Sequence, residues 1–167
     1  MKINLPVSQR EVAVGPRANI LSTTDLKGVI TYVNPDFIAI SGYEEDELLG
    51  RSHNLVRHPD MPPAAFADLW RTLKAGRSWM GLVKNRCKNG DHYWVSAFAT
   101  PVIRDGAVVE YQSVRSQAGA QRVARAEQGL RDQFPGGGEC RGKPDGGVYS
   151  CWNCGWCGLL VSLAYWR

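Results

Sequence analysis

The stretch WMGLVKNRCKNGDHYWVSAFATPVIRDGAVVEYQSVRS, residues 79–116, decides the fold. It holds three β-type runs, Trp79 to Cys87, His92 to Val102 and Val108 to Ser116, rich in valine and aromatic residues. The links between them are Lys88-Asn89-Gly90-Asp91 and Arg104-Asp105-Gly106. Asn-Gly and Asp-Gly favour the left-handed backbone that tight hairpins need, so the three runs read as an antiparallel meander. Side chains alternate along a strand, which puts Trp79, Gly81, Val83, Asn85 and Cys87 on one face.

Working outward, Ala64 to Ala75 carries Phe66, Leu69, Trp70 and Leu73 at helical spacing, with Gly76 as its stop. Pro59, Pro62 and Pro63 fix φ and remove donors, so the segment from Arg51 to Pro63 reads as loop or a single helical turn. Pro35 to Gly50 places Phe37, Ile38 and Ile40 before Ser41-Gly42, and Leu48 and Leu49 after, which fits two short helices. Asn19 to Thr24 and Gly28 to Asn34 flank the turn Asp25-Leu26-Lys27-Gly28 and form a first hairpin. The order β-β-α-α-α-β-β-β is of the α+β class. It predicts a five-stranded antiparallel sheet with short helices packed on one face around a ligand pocket.

The remaining chain is read as appendages. Residues 1–18 form an N-terminal cap, 117–133 a connector helix rich in Ala, Arg, Glu and Gln, and 134–167 a Gly/Cys-rich tail expected to be poorly ordered. Of five cysteines, only Cys87 precedes residue 140, and this odd, tail-loaded count is not a secreted disulfide framework. Cys140, Cys151, Cys154 and Cys157 offer four thiolates for zinc or an iron–sulfur cluster, but the spacing is not a standard one, and no metal is expected. The net charge of +4 arises from 20 basic and 16 acidic residues that are interspersed, so no nucleic-acid partner is expected. The N-terminus has no apolar run of signal-peptide length and no stretch reaches membrane-spanning length, so the folded part is placed in the cytoplasm. No P-loop, no GxGxxG after a strand and no zinc-hydrolase helix occurs, which argues against an enzyme.

Several short runs then carry a resemblance: SerThrThrAspLeu at 22–26, SerGlyTyr at 41–43, ValArgHisProAspMetPro at 56–62 and LysAsnGlyAspHisTyrTrpVal at 88–95. Together they resemble the N-terminal PAS domain of the aerotaxis receptors, over residues 19–116. The ArgHisProAspMetPro run followed by AlaAlaPheAlaAspLeuTrp is the most specific piece. The resemblance implies a PAS fold whose sheet holds the isoalloxazine ring of non-covalent FAD under a lid of short helices. It implies a redox sensor for oxygen-linked energy state in chemotaxis. It also implies a HAMP and signalling module acting on the chemotaxis kinase complex, a homodimer, and a position at the inner face of the membrane in a full-length receptor.

The resemblance ties Arg57, His58 and Asp60 to flavin retention, places Asn85 at the polar edge of the ring and makes Trp79 a ring neighbour. The residues themselves agree. A flavin needs an apolar slot, amides for its pyrimidine edge and a cation for its diphosphate. Tyr32, Phe37, Phe66, Trp70, Trp79, Tyr93, Trp94 and Phe98 supply aromatic surface, Asn34 and Asn85 supply amides, and Arg57 supplies a guanidinium. The bland alternatives are an Arg57–Asp60 surface ion pair, a turn-capping His58 and a merely packed His53. A flavin–cysteine photoadduct would need a thiol within HisAsnLeuValArgHis at 53–58, and a haem would need a histidine within 64–75; neither is there. A PAS module that binds another small ligand, or that only dimerises, is the competing reading.

Overall fold

The computed structural model describes residues 4–133. The elements in chain order are β1 (Ile20–Thr24), β2 (Ile30–Val33), α1 (Pro35–Ser41), α2 (Glu45–Leu48), a 3-10 turn at His53–Val56, α3 (Pro63–Lys74), β3 (Trp79–Arg86), β4 (His92–Arg104), β5 (Ala107–Gln117) and α4 (Ala120–Gln133). The expected elements are all present, and the loop-or-turn between α2 and α3 resolves into the 3-10 turn.

Local chemistry explains the boundaries. Asn34 caps α1, its side-chain oxygen accepting from the Phe37 amide, and Pro35 follows where a missing N–H costs nothing. The chain leaves α1 through Gly42 in the left-handed conformation. Glu44 and Glu47 form a reciprocal capping box on α2. Gly28, at φ +80°, turns the first hairpin, and an added Cβ there would lie 3.0 Å from the Trp70 ring, so this turn also packs against α3.

The five strands are ordered β2-β1-β5-β4-β3. The two hairpin systems meet where β1 pairs antiparallel with β5, Ile20 opposite Arg115 and Ser22 opposite Ser113. β4 pairs with β5 and with β3, placing Ala97 opposite both Arg115 and Gly81, and Tyr93 opposite Asn85. The inner face so defined carries Ile20, Ser22, Val83, Asn85, Tyr93, Val95, Ala97, Ala99, Tyr111 and Arg115, all buried. Phe37, Leu48 and Val56 from the helical segment close over it in the main core, and Leu73, Ala99 and Tyr111 form a second cluster with Trp70. At 25 cal/mol per Å2, burial of each large side chain contributes roughly 1.5–3 kcal/mol.

Residues 4–14 run as an extended strap over the end of the sheet. β5 stops opposite Val95, and beyond it the strap pairs with the backbone of His92, which donates to the Arg10 carbonyl and accepts from the Val12 amide. Arg10 and Ser8 bind the Asp91 carboxylate, and Asn4 donates to the carbonyls of Asn54 and Arg57. The ends of the strap therefore tie the lid turn to the sheet.

Candidate functional site

The inner face is built from small side chains where the strands cross, Gly81 and Ala97 in one row and Ala99, Ser113 and Ser22 in the next. Gly81 is bare for a reason: a Cβ there would lie 2.4 Å from the Trp79 ring, which folds back along β3. The Trp79 indole N–H donates to Asp68 of α3 at 2.9 Å, fixing that ring over the strand.

Three polar atoms reach this face without a hydrogen-bond partner: Asn85 Nδ2, the Tyr93 hydroxyl and Arg115 Nη1. Their residues are 3%, 0% and 4% exposed. The Asn85 amide and the Tyr93 hydroxyl face each other across the β3–β4 ladder, close enough for Asn85 to lower the phenol pKa as a hydrogen-bond donor, though the geometry falls short of a well-formed bond. Burial pushes the Tyr93 phenol up, so it is neutral and able to donate. A buried polar group left unmet costs about 1–3 kcal/mol. Three on one face mark it as the candidate contact surface for a bound molecule.

Arg115 extends from near the C-terminal end of β5, the central strand of the sheet. Its Nη2 donates to Ser22 Oγ at 2.8 Å and lies 2.6 Å from His53 Nε2, while the guanidinium sits 5.2 Å from the Phe37 ring centroid. Burial first, then the Arg115 charge, pushes the His53 pKa down to about 3, so its ring is neutral. Arg115 itself, lowered to about 10 by burial, remains a cation at neutral pH.

The expected site residues divide into three groups. Asn85, Tyr93, Trp79 and His53 gather at the inner face, His53 stacked on Phe37 with ring centroids 6.0 Å apart. Arg57, His58 and Asp60 instead line the outer edge of β3. Arg57 forms a backbone bridge with Asn85, its Nη2 donates to the Met61 carbonyl, and its guanidinium lies 4.0 Å over the Phe66 ring, leaving Nε unmet. His58 Nδ1 accepts from the Asp60 amide, and Asp60 takes the buried Lys84 ammonium at 2.7 Å. Burial lowers His58 to about 4 against the opposing pull of Asp60.

Asn34 and Trp70 stand apart from that group. The Asn34 amide is committed to the backbone, accepting from Leu21 and Phe37 and donating to Asn19. Trp70 packs edge-on to Tyr111 in the second cluster. Cys140, Cys151, Cys154 and Cys157 lie outside the described residues. Cys87 is buried, its thiol raised to about 11 by burial and donating to the Ile40 carbonyl, so it is an inert thiol. Arg115 and Ser22 went unread in the sequence, because nothing local says which face of β5 turns inward.

A five-stranded antiparallel sheet covered on one face by short helices is the architecture of the PAS class, and the comparisons agree on it. The family model described as PAS fold matches residues 30–115, just over half of the chain, and the chain belongs to that family. It is 50% identical to the aerotaxis receptor of Escherichia coli over 121 residues, 72% of this chain and 24% of that receptor. It is 31% identical to a nitrogen fixation regulatory protein of Klebsiella pneumoniae over 54% of this chain and 18% of the relative. The chain thus spans a quarter or less of the length of these curated relatives. Among solved structures, a light-oxygen-voltage domain studied with a flavin analogue superposes with a TM-score of 0.60, at 21% identity, over 69% of this chain and 88% of that one.

Proposed function

We propose that the chain is the sensor domain of an aerotaxis-type receptor, holding FAD non-covalently and reporting redox state rather than catalysing a reaction. One observation carries the reading: Asn85, Tyr93 and Arg115 direct three unmet donors across one buried face. The pyrimidine edge of a flavin presents two carbonyls and imine nitrogens around one N–H donor, so a donor-rich set that includes an amide able to accept is complementary to that edge. The similarity to the aerotaxis receptor supports the biological setting. FAD, when bound, supplies a reversible change of charge and protonation on a planar ring.

The chain's own part is to sense and relay that change. The Asn85 amide both donates and accepts, so it turns when the atom facing it gains or loses a proton. Its backbone is bridged to Arg57, and His58 N–H reaches the Lys84 carbonyl, so a shift at Asn85 is delivered to the edge of β3. On the opposite face, Met80 and Phe98 are register partners, 64% and 39% exposed, which offers the relay an apolar exit. In the full receptor that exit meets a HAMP or signalling module, or a second copy, on the cytoplasmic side of the membrane, and the chemotaxis kinase complex reads the outcome. A switch of this kind works only if the two ligand states differ in contact energy with the two protein states.

The deciding measurement is the visible spectrum of purified protein incubated with FAD and desalted, before and after dithionite. Yellow absorbance that bleaches reversibly is expected, with Asn85→Ala retaining less flavin by about tenfold. Colourless protein after incubation ends the flavin reading and leaves a PAS module for another ligand or for dimerisation.

A further inference from the structure

Arg115 is a buried cation without a buried anion. Among the described residues it joins no ion pair; a serine hydroxyl, a neutral imidazole and the face of Phe37 meet it, and the neutral Tyr93 phenol lies near enough to act on its charge without closing a hydrogen bond. Of its two terminal nitrogens, Nη2 is met twice while Nη1 is met by nothing. Ser22 and His53 hold the group from one side, and its register partners across the sheet are Ala97 and Ile20, whose side chains have no polar atom to offer. An ionised group so placed opposes folding unless a further acceptor arrives.

We propose that Arg115 is the charged contact of the bound ligand, selecting an acceptor-rich or anionic edge through Nη1 while Ser22 and His53 fix the guanidinium plane. The inference rests on the flavin reading and deepens it. It makes Arg115, which neither its position in the sequence nor its spacing announces, a residue that sets how strongly the site favours the more negative form of its ligand. It also makes the ligand-free protein a frustrated state: the charge that serves binding opposes folding when the site holds no partner. Ser22 and His53 are positioning residues, acting through the orientation of Nη2.

The test compares the full chain with Arg115→Met, which keeps apolar bulk and removes the charge, and Arg115→Lys, which keeps the charge and loses the fork. Three quantities are read: the melting midpoint of ligand-free protein, the affinity for oxidised FAD, and the affinity for FAD reduced anaerobically by dithionite, both affinities by calorimetry. Arg115→Met is expected to melt at or above the wild-type midpoint without ligand. It is expected to lose about tenfold or more in affinity for oxidised FAD, and more still for the reduced form, with Arg115→Lys between. A ratio of reduced to oxidised affinity that is unchanged in Arg115→Met overturns the proposal, because a structural tether has no preference for ligand charge. If wild-type protein takes up no FAD, the flavin reading fails by itself. The melting comparison then decides Arg115: a midpoint below wild type makes it a structural tether, and one at or above wild type supports the uncompensated site.

Discussion

His53 and His58 show how burial converts an ordinary side chain into a pH-dependent one. Burial leads both shifts, taking His53 to about 3 and His58 to about 4. In the unfolded chain each titrates near ~6.5. A base whose folded pKa is depressed contributes stability that is complete above the unfolded value and drains away as the pH falls towards the folded one. Asp91, lowered to about 2 by its hydrogen bond from Arg10 and then by Ser8, follows the same sign but acts only below the normal carboxylate range. Melting midpoints should therefore fall between pH 6.5 and 5, and His53→Gln should flatten that slope, as measured by thermal denaturation across the range; a slope unchanged in His53→Gln refutes the assignment. Of these residues, Asn85 was readable from strand alternation as sharing a face with Trp79, and the family resemblance turned that face inward. The neutrality of His53 was not, because its causes are burial under the folded core and, second, the charge of Arg115, which lies on a strand the sequence does not place beside it.

Among the elements, the ArgHisProAsp segment behaves as a clamp on β3. Arg57 bridges Asn85, His58 N–H reaches the Lys84 carbonyl and the Asp60 carboxylate holds the Lys84 ammonium, whose side chain is 8% exposed. The partner carboxylate is half exposed, so its attraction is partly screened and is worth about 1–2 kcal/mol. Asp60→Asn should lower stability by that amount in urea unfolding, and Lys84→Met added to it should recover most of the loss, since the uncompensated charge goes with it. Full additivity of the two substitutions would show that the pair is not coupled. Spacing marked this stretch as a proline-rich turn, and resemblance tied it to flavin. Neither revealed that it supplies the missing edge partner of β3, because edge pairing depends on a strand that lies well over a dozen residues further on.

At the scale of the whole molecule, the strap of residues 4–14 completes a sheet that β5 leaves unfinished. It covers the backbone of His92, brings Arg10 to Asp91 and adds Val14 to the main core. Deleting residues 1–14 should lower the melting midpoint, with a loss of about 2 kcal/mol or more from Val14 and the strap bonds, and should raise hydrogen exchange at residues 92–94 while β1 and β2 keep their protection. Uniformly raised exchange would instead mean that the strap is needed for the entire fold. Alternating and helical periodicity, proline placement and Asn-Gly turns are local properties, and they determined by themselves the number, kind and near-boundaries of the elements, as well as the shared face of Trp79 and Asn85. The order β2-β1-β5-β4-β3, the strap over β4 and the meeting of Ser22, His53 and Arg115 were decided only by tertiary structure. Those contacts join residues 31 to 93 positions apart, and which distant faces close on each other is settled by the burial of the whole core rather than by any window of sequence.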